Sequence, residues 1–196
     1  MSNDDQIDDL WGRIRACQHC ADKMPHSPRP VLRPSATARI CVAGQAPGTR
    51  VHKSGIPFTD PSGDRLRDWM GIDEDVFYDQ SRVAILPMGF CFPGLDAKGG
   101  DKPPLKACAK LWRDEVIAAH PQVELYILIG KYAQDWHLGK RAKPRLFDTV
   151  AAWRDYGPLY MPMPHPSWRN TGWLNKNPWF ADEVLPVLRR RVQDLI

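Results

Sequence analysis

The sequence predicts an α/β fold of three layers, αβα, around a central four-stranded, mostly parallel sheet. Two observations carry that expectation. Four short runs, at 38–43, 83–88, 125–130 and 160–163, are apolar nearly throughout instead of alternating, as strands buried on both faces are. Helix-period segments separate them, and strand alternating with helix implies a covered parallel sheet with right-handed crossovers. A third observation concerns function. The least generic segments, GQAPG at 44–48, MGFCFPG at 88–94 and PHPSWRN at 164–170, each leave a strand, so all three should emerge at one sheet edge.

Taken in order, Ile7, Leu10 and Ile14 recur at helical spacing and lead into a Cys-x-x-Cys pair, Cys17 and Cys20. Pro25, Pro28, Pro30 and Pro34 make the next stretch an extended connector wrapped over the surface. After the first strand, Gly44 and Gly48 allow close backbone approach, and Pro47 stiffens the turn between them. Ser62 is the expected N-cap of a helix over 63–70, with Leu66 and Trp69 on one face. A short helical turn follows over 73–81, before the second strand. Residues 94–104 hold Gly, Pro and charge and read as a loop, and 106–120 as a helix. The third strand leads to a helical start at Ala133, a basic loop (Lys140, Arg141, Lys143, Arg145), and a helix over 146–156. After the fourth strand a last helix begins near Pro178, where a first-turn proline suits it.

With 196 residues, 43% apolar and 26% charged, the chain reads as one globular domain spanning 1–196. No apolar run has the length a membrane helix needs. The acidic start, with Asp4, Asp5, Asp8 and Asp9, does not look like a secretory signal, so a cytoplasmic, reducing location and a monomer are expected. A net charge of +4 permits a polyanionic partner without requiring one. In a reducing compartment five cysteines point to metal ligands, core residues or reactive thiols more than to disulfides. Cys91 follows Cys20 after seventy intervening residues, and Cys108 lies sixteen beyond. Four thiolates at Cys17, Cys20, Cys91 and Cys108 suit an iron–sulfur cluster or, as the alternative, zinc. Cys41, inside a strand, is read as a small core hydrophobe.

GQAPG, the Pro57-Phe58 that follows it, the cysteine-bearing loop after the second strand and His165-Pro166-Ser167 together resemble the uracil-DNA glycosylase superfamily. The cysteine spacing resembles its iron–sulfur, family-4-like branch. The resemblance covers the chain in order from Cys17 to about Asn170. It implies a structural [4Fe-4S] cluster, DNA as partner, and hydrolysis of the bond between uracil, or a related deaminated or modified base, and deoxyribose. The enzyme would be monofunctional and serve base excision repair.

Such a reaction needs an aromatic platform for an extruded base, for which Phe58 is the candidate. Donors are needed where negative charge grows on the departing base, and His165 and the Gln45 backbone N–H are the candidates. Gly44, Ala46, Met88 and Gly89 are expected to line the base site. Ser167 and the segment after it, Trp168, Arg169 and Asn170, are expected to grip DNA, with Trp173 as a wedge. Two features depart from the family pattern. The positions where relatives carry a water-activating carboxylate hold Gln45 and Ala46, leaving Asp60 as the nearest candidate acid. No asparagine precedes Cys91 to read a uracil edge, so backbone groups near Met88 and Gly89 are the expected substitute. The loss of both carboxylate positions motivates the alternative reading, a DNA-binding protein that keeps the scaffold without catalysis. A zinc-stabilised hydrolase of another small substrate is a third reading.

Overall fold

The computed structural model describes residues 3–196, with side chains from Asp5 onward. Met1, Ser2 and the side chain of Asp4, part of the acidic N-terminus noted above, lie outside the described residues.

Helix α1 (Asn3–Arg15) buries the Ile7, Leu10 and Ile14 stripe that its sequence period announces. Strand β1 (Ile40–Ala43) follows, then a short helix α2 (Thr49–Ser54), α3 (Pro61–Met70), α4 (Glu74–Tyr78) and β2 (Val83–Ile85). Helix α5 (Lys106–Ala118) leads to β3 (Leu125–Ile129), α6 (Lys131–Leu138), α7 (Leu146–Ala151) and β4 (Tyr160–Met163). Helix α8 (Thr171–Lys176) and a π-helical turn (Phe180–Val184) then run into α9 (Leu185–Gln193).

The four strands pair in the order β2-β1-β3-β4, every pair parallel. Alternate residues face opposite layers, as the pleat requires. Ile40 and Val42 join Ile85, Ile127 and Met163 in one core, closed by Leu66, Trp69 and Met70 of α3 and Leu188 and Val192 of α9. Cys41 and Ala43 join Ala84, Tyr126 and Leu128 in the other, closed by Leu10 and Ile14 of α1, Val116 of α5 and Ala133 of α6. The three-layer αβα expectation therefore holds, with an all-parallel sheet. Cys41 is fully buried, as a core residue should be.

The proline-rich connector has a specific task. Arg33 exchanges backbone hydrogen bonds with Ile85 (2.8 and 2.9 Å), and the Val31 N–H donates to the Phe90 carbonyl (2.7 Å). It thereby covers the free edge of β2, which would otherwise present unpaired backbone groups. No described helix is long and apolar enough to cross a membrane.

Several boundaries differ from the sequence expectation. The N-cap of α3 is Asp60, two residues before Ser62. Its Oδ1 accepts from the Ser62 N–H at 2.9 Å and from the Ser62 hydroxyl, and Pro61 fills the first turn. Helix α2 directly after GQAPG, and α8 after the last strand loop, were not expected. Strand β2 ends at Ile85, because the Leu86-Pro87-Met88 segment, though buried, leaves the ladder at a proline that cannot donate.

Candidate active site

Because β1 pairs with β2 on one side and β3 on the other, the chain leaves β1 and β3 in diverging directions and opens a crevice at the carboxyl edge of the sheet. The loop 44–48 fills it. A pocket there, enclosing about 90 Å³, is lined by Gly44, Gln45, Ala46, Pro47, Phe58, Asp60 and His165, with Val31, Ile85 and Pro87 behind and Asp101 at the mouth. Residues from six separate stretches of sequence thus meet in one place.

Phe58 is held in an uncommon conformation. Its φ of 57° puts a bulky residue in the left-handed region, at a cost on the order of 1–3 kcal/mol. The surroundings over-determine it. The Tyr78 hydroxyl donates to the Pro57 carbonyl at 2.8 Å, and the Phe58 ring meets Phe77 edge-on at 6.0 Å. A Cβ on Gly63 would lie 1.8 Å from the Phe58 carbonyl oxygen, so only glycine lets α3 start this close. On the other side, a Cβ on Gly44 would stand 3.4 Å from the ring, so the bare backbone of the first loop runs against the aromatic face.

His165 comes from the loop after β4. Desolvation lowers its pKa and so favours the neutral imidazole, while the charge of Asp60 acts the other way. Its Nδ1 is buried without a hydrogen-bond partner among the described residues. Its carbonyl accepts from the Asn170 side-chain amide at 2.7 Å, which fixes the loop. Asn170 therefore serves the site from behind. Ser167 is likewise committed: its hydroxyl accepts from the Arg169 N–H at 3.2 Å, and its carbonyl accepts from Arg65 at 3.1 Å. Arg169 remains on the outer groove beside Trp168, Arg50 and Thr49.

Gln45 turns its side chain away from the base position. Its Nε2 would be 2.4 Å from a Cβ on Gly130, whose φ of +83° also favours glycine. Met88 and Gly89 are not brought to the pocket. Their N–H groups donate to the carbonyls of Gly44 (2.9 Å) and Gln45 (2.8 Å), stitching the second loop to the first. Met88 is a core residue, and the wall they were expected to form is made by Ile85, Pro87 and Val31. Trp173 is also not placed as a wedge: it stacks on Phe147 at 4.3 Å and packs against Trp179 and Phe180. Trp168, 76% exposed, lines the outer groove instead, with the Arg169 guanidinium 6.0 Å over its ring.

Asp101 is the site residue that sequence reading passed over, whereas Trp168 belongs to the segment expected to grip DNA. Trp168 was signalled by its place directly after Ser167. Asp101 had no comparable signal, since it lies in a loop of glycine and charge whose docking no spacing rule gives.

The four cysteines line one cavity, together with His19, Met24, Leu105 and Trp112. Cys17 and Cys20 follow α1, Cys91 leaves the β2 loop, and Cys108 sits in the first turn of α5. Burial, and then the mutual repulsion of these sulfurs, pushes the Cys91 thiol to about 12, and burial pushes Cys108 to about 11. The Phe90 N–H donates to the Cys108 Sγ at 3.4 Å. Among the described residues no three His, Cys, Asp or Glu side chains are placed to hold a single metal ion.

The family model of the uracil DNA glycosylase superfamily matches residues 32–189. The chain belongs to that superfamily. A protein from Methanosarcina acetivorans, solved by solution NMR and provisionally described as a uracil DNA glycosylase, is similar with a TM-score of 0.48 and 14% sequence identity. That likeness covers 82% of this chain and 94% of the other. The superfamily match spans the whole of the sheet and its site loops. It begins after Cys17 and Cys20, so it does not bear on the iron–sulfur branch.

Proposed function

We propose that this protein is a monofunctional DNA glycosylase that hydrolyses the N-glycosidic bond of uracil, or a related deaminated or modified base, leaving an abasic site. One observation carries the reading: a half-buried His165, its pKa lowered by desolvation, and a strained Phe58 are brought to the same small pocket against the bare backbone of Gly44.

The geometry suits each step. A base extruded from DNA would stack on Phe58, and stacking worth about 1–3 kcal/mol offsets part of the unstacking cost. As the bond breaks, its electrons move onto the base, and His165 would donate an N–H to the oxygen where charge collects. The Gln45 backbone N–H would be the second donor. A neutral imidazole suits this task because it keeps one N–H to give. The sugar, now cationic, would face the carboxylates at the pocket mouth. Arg50, Arg169 and Trp168 would meet the DNA on the outer groove.

The four-cysteine cavity fits a [4Fe-4S] cluster in its donor set, because four sulfurs around a common space is what such a centre requires. Cys17, Cys20, Cys91 and Cys108 would hold it. The cluster would act as a structural clamp, since Gly89 lines that cavity and also bonds to Gln45 of the base pocket.

Oligonucleotides carrying uracil, hydroxymethyluracil, hypoxanthine or xanthine test the reading. At least one should yield free base and an abasic site, with His165→Ala slower by about 10²–10³-fold. Release from none of them, with abasic DNA bound no better than intact DNA, would contradict it. Salt-dependent DNA binding that persists without turnover would instead favour the non-catalytic reading that Gln45 and Ala46 motivate.

A further inference from the structure

The first loop lacks an acid, so what activates water in this pocket has to come from elsewhere. Two carboxylates reach it. Asp60 is committed to α3, where its Oδ1 takes both hydrogen bonds from Ser62. Asp101 accepts from the Thr49 N–H in the first turn of the short helix α2 and comes from a loop of its own.

Asp101 stands at the end of a small hairpin that its own backbone fixes. An antiparallel bridge joins it to Leu95, the Lys102 N–H donates to the Gly94 carbonyl at 2.9 Å, and the Asp96 N–H donates to the Gly100 carbonyl at 2.7 Å. The Asp96 carboxylate closes the tip by accepting from the N–H groups of Lys98 (2.8 Å) and Gly100 (2.9 Å). The hairpin folds back on the first loop. Asp101 Oδ2 lies 2.8 Å from where a Cβ on Gly48 would be, so the carboxylate rests directly on the backbone of that glycine. It shares with His165 the lining of the base pocket, of the cleft beside Tyr132 and of the outer groove.

We propose that Asp101 is the catalytic general base of this site, activating the water that attacks the sugar; the inference rests on the glycosylase reading above. The carboxylate is supplied by a hairpin after β2 in place of the first loop. As the bond from C1′ to the base nitrogen breaks, its electron pair leaves with the base. The water oxygen forms the new bond to C1′, and the proton it loses passes to Asp101 and then to solvent. The base anion, held by His165, takes a proton from solvent on release. The products are the free base and a C1′ hydroxyl.

Loss of solvent around the carboxyl and, next, the charge of Asp60 hold the Asp101 pKa above the usual carboxylate range. The charge of Arg169 and the Thr49 N–H act the other way. A carboxylate so shifted is a stronger base near neutral pH.

The test is single-turnover base release by wild type, Asp101→Asn and Asp60→Asn, on the best substrate of the panel, from pH 5 to 9, with abasic-DNA affinity and Tm alongside. Asp101→Asn should slow release by about 10²–10⁴-fold. It should keep Tm and bind abasic DNA within about twofold, and it should lack the fall in rate at low pH expected of the wild type. Asp60→Asn should lose less than about tenfold. If the wild type releases base and Asp101→Asn stays within about threefold of it, or keeps the acid limb, this inference fails while the glycosylase reading stands. If the wild type releases no base, the reading fails and takes this inference with it.

Discussion

Phe58 concentrates the problem this pocket solves. A left-handed φ in an aromatic residue is maintained only because Gly63, Tyr78 and Phe77 leave it no other arrangement, and the ring is thereby presented to the first loop. Phe58→Ala should weaken capture of the extruded base by about 1–3 kcal/mol, read as the affinity for abasic-site DNA supplemented with free base. Its removal also relieves strain, so Tm should fall less than for a buried phenylalanine in relaxed geometry. Arg113 poses a second residue-scale question, being fully buried with no ion pair to a carboxylate among the described residues. Its guanidinium donates to the Leu86 carbonyl at 2.6 Å and the Pro87 carbonyl at 3.3 Å. It also meets His137 Nε2 at 2.7 Å, where the neutral ring accepts. It therefore holds the segment whose Pro87 walls the base pocket. Arg113→Met should cost about 1–3 kcal/mol for each carbonyl left unpaired, measured by denaturant unfolding, and Arg113→Lys should not restore it because the fork is lost.

At the scale of elements, α3 and its approach do two jobs. Asp60 caps the helix and faces His165, so Asp60→Ala should cost about 0.5–2 kcal/mol of stability, whereas Asp60→Asn keeps a capping side chain. Gly63→Ala would drive a Cβ into the Phe58 carbonyl, and a loss of about 1–3 kcal/mol with slower base release is expected. The same elements show what the sequence could convey. The four buried strands were legible because each is apolar nearly throughout, and α1, α3 and α5 because their apolar residues keep a helical period. Gly44, Gln45, Ala46 and His165 were legible because they leave strands at one edge, and Phe58 and Asp60 because they follow the first loop in the pattern of the resembling family. Helix α2 was not, because TRVHKS buries only Val51 and carries no stripe. That Met88 and Gly89 bond to the first loop was not legible, because hydrogen bonding between two loops has no sequence signature. Trp173 and Trp168 could not be told apart, since packing alone decides which of eight tryptophans is enclosed.

For the whole molecule, the pH dependence of stability follows from its desolvated histidines, of which His120 is buried and His52, His137 and His165 are half-buried. Burial lowers the pKa of His52, His120 and His165, and takes His137 from 6.5 to about 3, with the Arg113 charge second. Each folded-state pKa lies below the unfolded value, so below about pH 6.5 the unfolded chain binds protons that the folded chain refuses. Stability should therefore be level above that pH and fall steadily on acidification towards pH 3. A Tm series from pH 8 to 4 checks this, and equal Tm at pH 7.5 and 5 would contradict it. The two faces of the sheet divide the work. One carries α3 and the strained approach to Phe58, while the other carries α5 and the four-cysteine cavity, and the loops between them meet at the carboxyl edge. If that arrangement exists to detach a base, the most direct measurement is the nucleobase released, identified by mass spectrometry, when the protein is incubated with DNA of the uracil-to-xanthine panel. The wild type should release free base at a rate that His165→Ala lowers by about 10²–10³-fold. Binding to the same DNA with no free base, unchanged by His165→Ala, would contradict the account.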